Sequence, residues 1–137
     1  MATRKFITAE DGTKTLFQEG ESFDVLVTFN DLNGNPIVKL NLLSLKCALF
    51  DTETSVSING RAPYQNVLDA NGGTVATDGT LTFRLQPNDN VILGSIDVGS
   101  VETHSLEFEW SFFDGVLTRI GRSGPLLFSL EKLPVVT

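Results

Sequence analysis

The sequence predicts an all-β fold, an antiparallel β-sandwich of about seven to nine strands, and three observations predict it. Apolar residues recur at every second position in several separate segments, the mark of strands whose side chains alternate between two faces. Gly, Asn, Asp and Pro clusters that favour tight turns separate those segments. No segment carries an amphipathic helical pattern between capping signals. At 137 residues the chain is long enough to bury a core without a covalent staple. It divides into an N-terminal arm and edge strand (residues 1–20), the sandwich (21–133) and a C-terminal tail (134–137).

The elements follow in order. Lys5, Phe6, Ile7 and Thr8 form a short strand candidate, a turn falls at residues 10–13, and Leu16 and Phe17 precede a second turn at residues 19–21. This segment reads as an edge strand split by a turn or as an arm not fully tied to the body. Residues 22–29 alternate, with Phe23, Val25, Val27 and Phe29 on one face and Leu26 as the exception. Turn formers close that strand at residues 30–36. Residues 40–50 form the next strand, with Leu43, Leu45, Cys47 and Leu49 facing one way. A helix is the rival reading there, and flanking turn residues favour the strand. Residues 51–77 are the least periodic. They offer a short strand over 54–58 ending at Asn59-Gly60, and Tyr64 with Leu68 in a contact loop or covering one end of the core. Asp78-Gly79 joins two alternating segments as a hairpin, Leu81, Phe83 and Leu85 face inward, and residues 86–90 turn a corner.

The strongest strand signal is residues 104–115. Leu106, Phe108, Trp110 and Phe112 alternate with Ser105, Glu107, Glu109 and Ser111, as expected of a central strand with one face on the core. Asp114-Gly115 turns it into residues 116–120, residues 121–125 break that strand, and Leu126, Phe128 and Leu130 mark the last one.

Charge and cysteine usage narrow the function. Residues 51–116 hold ten acids against Arg61 and Arg84, a net of −8 within a chain of net −7. With no basic stripe interleaved with aromatics, direct nucleic-acid binding is not expected. An acidic surface suits a partner with a basic patch, and equally serves solubility. The single cysteine, Cys47, permits no intrachain disulfide and reads as a small buried hydrophobe. The N-terminus lacks the apolar run of a secretory signal and no stretch matches a membrane span, so the expectation is a soluble protein made in a cytoplasm, with no membrane partner.

The search for chemistry predicts no catalytic, cofactor or metal residues. His104 is the only histidine, which removes multi-histidine metal sites, and it is expected to cap a strand end through a surface hydrogen bond. Asp31, Asn33 and Asn35 faintly match a calcium loop, but the glycine and the closing glutamate are misplaced, leaving an ordinary loop. Glu107 and Glu109 lie about 7 Å apart on one strand face, within the range of glycosidase carboxylate pairs, yet nothing supplies a cleft or a pocket to raise one pKa. They are expected to be solvated or interfacial. Phe113 breaks the alternation beside a turn, which suggests contact with another chain or packing under a neighbouring loop, and Tyr64 beside Arg61 fits an interface anchor. The candidate interface residues are therefore Arg61, Tyr64, Glu107, Glu109 and Phe113.

Two groups of residues carry a resemblance. Residues 80–89, with Leu85, Pro87 and Asp89 as Leu-x-Pro-x-Asp after an alternating strand, resemble the strand and corner before the last hairpin of immunoglobulin-like domains. The tyrosine and second cysteine of antibody domains do not follow. Residues 57–61 and 65–72, the Asp78-Gly79 hairpin, and residues 102–104 running into Phe108-Glu109-Trp110 resemble small immunoglobulin-like virion proteins of tailed bacteriophages, over roughly residues 15–133. The resemblance implies an immunoglobulin-like sandwich. It also implies a non-enzymatic structural accessory of the virion, either a capsid decoration or cement protein or a head-tail subunit. Its partners would be major capsid or head-tail subunits, in symmetric, homo-oligomeric copies. Localisation to the virion after synthesis in a host cytoplasm fits the absence of a disulfide. The alternative is a host-contacting adhesive or carbohydrate-binding sandwich of a tail fibre or decoration.

Overall fold

A computed structural model of the chain describes residues 7–8 and 16–134, residues 7–8 through their backbone alone. The architecture is all-β, two sheets packed face to face. One sheet runs β1 (Ile7–Thr8), β3 (Phe23–Val27), β7 (Leu81–Leu85), β6 (Gly73–Val75). The other runs β2 (Leu16–Gln18), β10 (Leu126–Glu131), β8 (Val101–Phe113), β4 (Leu42–Asp51), β5 (Gln65–Asn66), with β9 (Thr118–Arg122) also on β8. β10 pairs with residues 101–106 of β8 and β9 with residues 109–113, so β9 and β10 act as one interrupted strand along one edge. Counted so, there are nine strands among the described residues, one four-stranded sheet facing a sheet centred on β8 and β4.

β8 is the central strand that its alternation predicts. Glu102, His104, Leu106, Phe108, Trp110 and Phe112 face inward and are buried. The core that they meet is aromatic. Trp110 lies 4.7 Å from Phe29 between ring centres, Phe108 packs edge-on against Phe29 and Phe83, and Phe17 stacks on Phe23 at 3.6 Å. Cys47 is buried among them, and burial pushes its thiol well above the ordinary range. Gly121 faces Trp110 across the β8–β9 ladder, where a Cβ would stand 2.3 Å from the indole Cε2, so only glycine fits against that ring. Gly79, at φ +92° in the hairpin, is held as closely by the Ile37 carbonyl.

Several expectations change. The sheets are not wholly antiparallel: β2 pairs with β10 in parallel, and β1 sits on the opposite sheet, so the N-terminal segment is split between the two layers. The turn expected at residues 10–13 lies outside the described residues, as do Lys5 and Phe6 and all of the tail beyond Pro134. Leu43 does not join Leu45, Cys47 and Leu49 in the core. A bulge between Leu42 and Ser44 shifts the register, burying Leu42 and leaving Leu43 exposed. The strand expected over residues 54–58 is reduced to a single bridge between Phe50 and Ser57. The Asp31 loop is closed by its own carboxylate, whose Oδ1 accepts from the Asn33 and Asn35 amides. No helix among the described residues is long and apolar enough to cross a membrane.

Candidate functional site

Because β8 alternates, Glu107, Glu109, Ser111 and Phe113 point away from the core, onto the outer face of the six-stranded sheet. Ladder register fixes what stands beside them. Glu109 lies between Lys46 of β4 and Arg122 of β9, and Ser111 between Ser44 and Ile120, the two serine hydroxyls 2.5 Å apart. Phe113 is opposite Thr118, next to the bulge that turns Leu43 outward. Leu43, Phe113 and Ile120 are exposed, Ile120 by 66%. An open cleft of about 350 Å³ lined by Pro36, Val38, Asn41 and Phe113 flanks this end.

Both carboxylates of the face are already engaged within the chain. The Tyr64 hydroxyl donates to Glu107 Oε2 at 3.1 Å, and the Arg122 guanidinium donates to Glu109 Oε2 at 2.9 Å. Partial burial and the Glu107 bond push the Tyr64 phenol up. Exposed ion pairs of this kind contribute only about 0–1 kcal/mol each, so they are readily exchanged for a partner's charges.

Of the five residues singled out in the sequence, Tyr64, Glu107, Glu109 and Phe113 share this face, and Arg61 does not. The Arg61 guanidinium turns inward, its Nε 2.7 Å and one terminal nitrogen 3.0 Å from the two oxygens of the wholly buried Asp89. Its other terminal nitrogen donates to Gln65 Oε1 and the Asn71 carbonyl, and the plane lies 5.2 Å from the Phe83 ring centre. Burial pushes the Asp89 carboxyl up, but bonds from Arg61, Asn59 and the Gln86 amide outweigh it and hold Asp89 below its ordinary value. Arg61 therefore clamps the 59–72 loop to the 86–90 corner.

A second cluster lies at the other end of β8, facing inward. His104 is buried, not on the surface as expected, because it shares the inward phase of Trp110. Its Nε2 is 2.6 Å from Glu102 Oε2, and its Nδ1 is buried without a partner. Asp51, its ladder neighbour on β4, completes a group whose ligating atoms lie within 4.8 Å of one another. These three could hold a cation, but the protein's own donors already occupy the carboxylates. Glu102 accepts from the Leu93 and Gly94 amides, and Asp51 from the Thr54 amide and hydroxyl. Burial pushes Glu102 up, and these donors together with His104 bring it below its ordinary value. The arrangement locks the 93–94 segment over the end of the sandwich.

Sequence reasoning missed Leu43 and Ile120 on the outer face and the Asp51–Glu102–His104 group. The group was visible as the inward phase of β8 extended toward its start, Leu43 depended on a bulge that leaves no local signature, and Ile120 lies on the short β9. No family model matches the chain, and no curated protein matches it.

Proposed function

We propose that the chain is a non-enzymatic structural protein of a tailed-bacteriophage particle, a capsid decoration or cement subunit or a head-tail accessory, that binds other virion proteins. The observation supporting an interaction role is the outer face of the six-stranded sheet, where, among the described residues, Leu43, Phe113 and Ile120 stand exposed beside the surface ion pair of Arg122 and Glu109. Grouped exposed apolar residues rimmed by polar ones are typical of contact surfaces. The assignment to a virion rests on the sequence resemblance at residues 57–72, 78–79 and 102–110. The acidic segment of residues 51–116 gives the subunit a second means of attachment, charge complementarity with a basic shell. A catalytic role draws no support from the reactive groups. His104 is enclosed against Glu102, burial keeps the Cys47 thiol protonated, and Glu107 and Glu109 are held by Tyr64 and Arg122 on the outer sheet face.

The test is reconstitution. Purified protein added to particles that lack it sediments with them and raises their resistance to heat and chelation. Particles that take up none refute the reading. Glycan binding lost in Tyr64→Ala would move it to the host-contacting alternative.

A further inference from the structure

We infer that Asp51, Glu102 and His104 hold a divalent first-row metal ion, zinc foremost, at the start of β8. The inference stands apart from the interaction reading and does not rest on it. Three observations carry it.

The first is the orphaned ring nitrogen of His104. Glu102 already accepts the Leu93 and Gly94 amides, so the proton between Glu102 Oε2 and His104 Nε2 belongs to the ring. The ring's lone pair is then on Nδ1, which is enclosed and has no partner. A buried polar atom without a partner is costly. A neutral imidazole whose other nitrogen donates to a carboxylate is also the usual form of a metal-binding histidine.

The second is charge. One ligating atom each from Asp51, Glu102 and His104 falls within 4.8 Å of the others, and Asp51 is only 4% and Glu102 9% exposed. Among the described residues no lysine or arginine forms an ion pair with either carboxylate. Two acids this close and this enclosed repel unless a positive charge joins them, and buried charges are paired or bind metals. The donors that occupy the carboxylates leave lone pairs over. Glu102 takes three donors and Asp51 two, of about four positions on each, and both bonds to Asp51 fall on Oδ2. Asp51 Oδ1 remains for a ligand, and the bonded amides and hydroxyl orient the carboxylates as the outer shell of a metal site does.

The third is access. A cleft of about 260 Å³, lined by Asp51, Glu53, Gly94, Ile96, Val101 and Glu102 among others, reaches the cluster, and its charged side chains are all acids. It admits a cation and has room for the water that completes the coordination. One nitrogen and two carboxylate oxygens suit zinc, whereas calcium takes about 6–8 oxygens.

The chain has a single histidine, so its ring signals report this site alone. The test titrates the full chain, freed of metal by a chelator, with zinc alone and follows the His104 ring by proton–nitrogen NMR. Stoichiometric zinc should shift the ring signals, show which nitrogen takes the metal, and raise the Tm. In calorimetry, Asp51→Asn should weaken zinc binding by about 10-fold or more, while Asp78→Asn, in the β6–β7 turn, should stay within about twofold of the parent. Melting in chelator checks that both variants fold. Ring signals unmoved at about 10-fold excess zinc overturn the inference, as does unimpaired binding by Asp51→Asn. If Asp51→Asn does not fold, the parent's ring signals decide alone. Neither result bears on particle binding, which the reconstitution above tests separately.

Discussion

Removing the guanidinium of Arg61 should unfold this domain's most demanding electrostatic arrangement. Asp89 has no exposed surface, and two of its bonds come from Arg61, which is itself 13% exposed at the side chain. In Arg61→Ala the carboxylate keeps only Asn59 and the Gln86 amide, and the Gln65 and Asn71 acceptors lose their donor as well. Stranding one member of a buried pair costs about 3–5 kcal/mol. Against a total stability of about 5–15 kcal/mol that is a large fraction, equivalent to a fall in Tm of roughly 10–20 °C. Arg61→Lys should fall between, because an ammonium cannot span both oxygens. The effect should also depend on pH. The folded carboxyl titrates below its unfolded value, so the pair's contribution is complete above the ordinary aspartate range and disappears as pH falls through the folded pKa. The difference between the parent and Arg61→Ala should therefore narrow in acid. Urea unfolding at pH 7 and in acid measures both quantities. A loss under about 1 kcal/mol at pH 7, or a difference independent of pH, would refute the clamp and return Arg61 to the surface role that its type suggests.

Three further outcomes follow from the geometry. Gly121→Val forces a side chain into the Trp110 indole and should cost at least about 1–3 kcal/mol by overpacking, with a changed near-ultraviolet tryptophan signal; an unperturbed signal would show the ring free to move aside. Glu102→Gln should speed amide exchange at Leu93 and Gly94 while exchange in the β3–β7 pair stays slow, and equal acceleration in both places would deny the local lock. Asp114, held by the Val116 and Leu117 amides and Arg119, should titrate at about 2 by NMR; its depressed pKa means the turn keeps its bonds above the ordinary aspartate range and loses them as pH falls toward about 2, which an ordinary midpoint would contradict.

How far the fold was legible depended on whether a signal was local. Phe108 and Trp110 announced both their strand and their face, because burial on one side of a sheet imposes a period of two on the sequence itself. The Asp78-Gly79 and Asp114-Gly115 turns were equally readable, since positive φ at Gly79 and Gly115 is a property of single residues. Leu43 was misplaced because one extra residue in a ladder reverses the facing of its neighbour without altering composition. His104 was placed by its chemical type when its phase with Trp110 already put it inside. Arg61 illustrates the harder limit. Its partner Asp89 lies 28 residues away, and nothing near either one records that the fold brings a carboxylate into the interior to meet it. On the outer sheet face, the outward phase of Glu107, Glu109 and Phe113 was legible because β8 is regular, and that of Ile120 was not because β9 is short and ends at a break.

The parallel pairing of β2 with β10 carries a consequence for how the protein is made. β10, the last strand among the described residues, is inserted between β2 and β8 and so is flanked by an early segment and a late one. During synthesis the four-stranded layer and the β4–β8 ladder can form while the edge of β8 that will receive β10 stays bare. Until residue 131 has cleared the ribosome, β2 has no neighbour in its own layer and Leu106 and His104 lack their cover from Leu126 and Phe128. Nascent chains crowded on one message thus expose the same unpaired edge to one another, and closure by β10 is the step that separates correct release from strand exchange between copies.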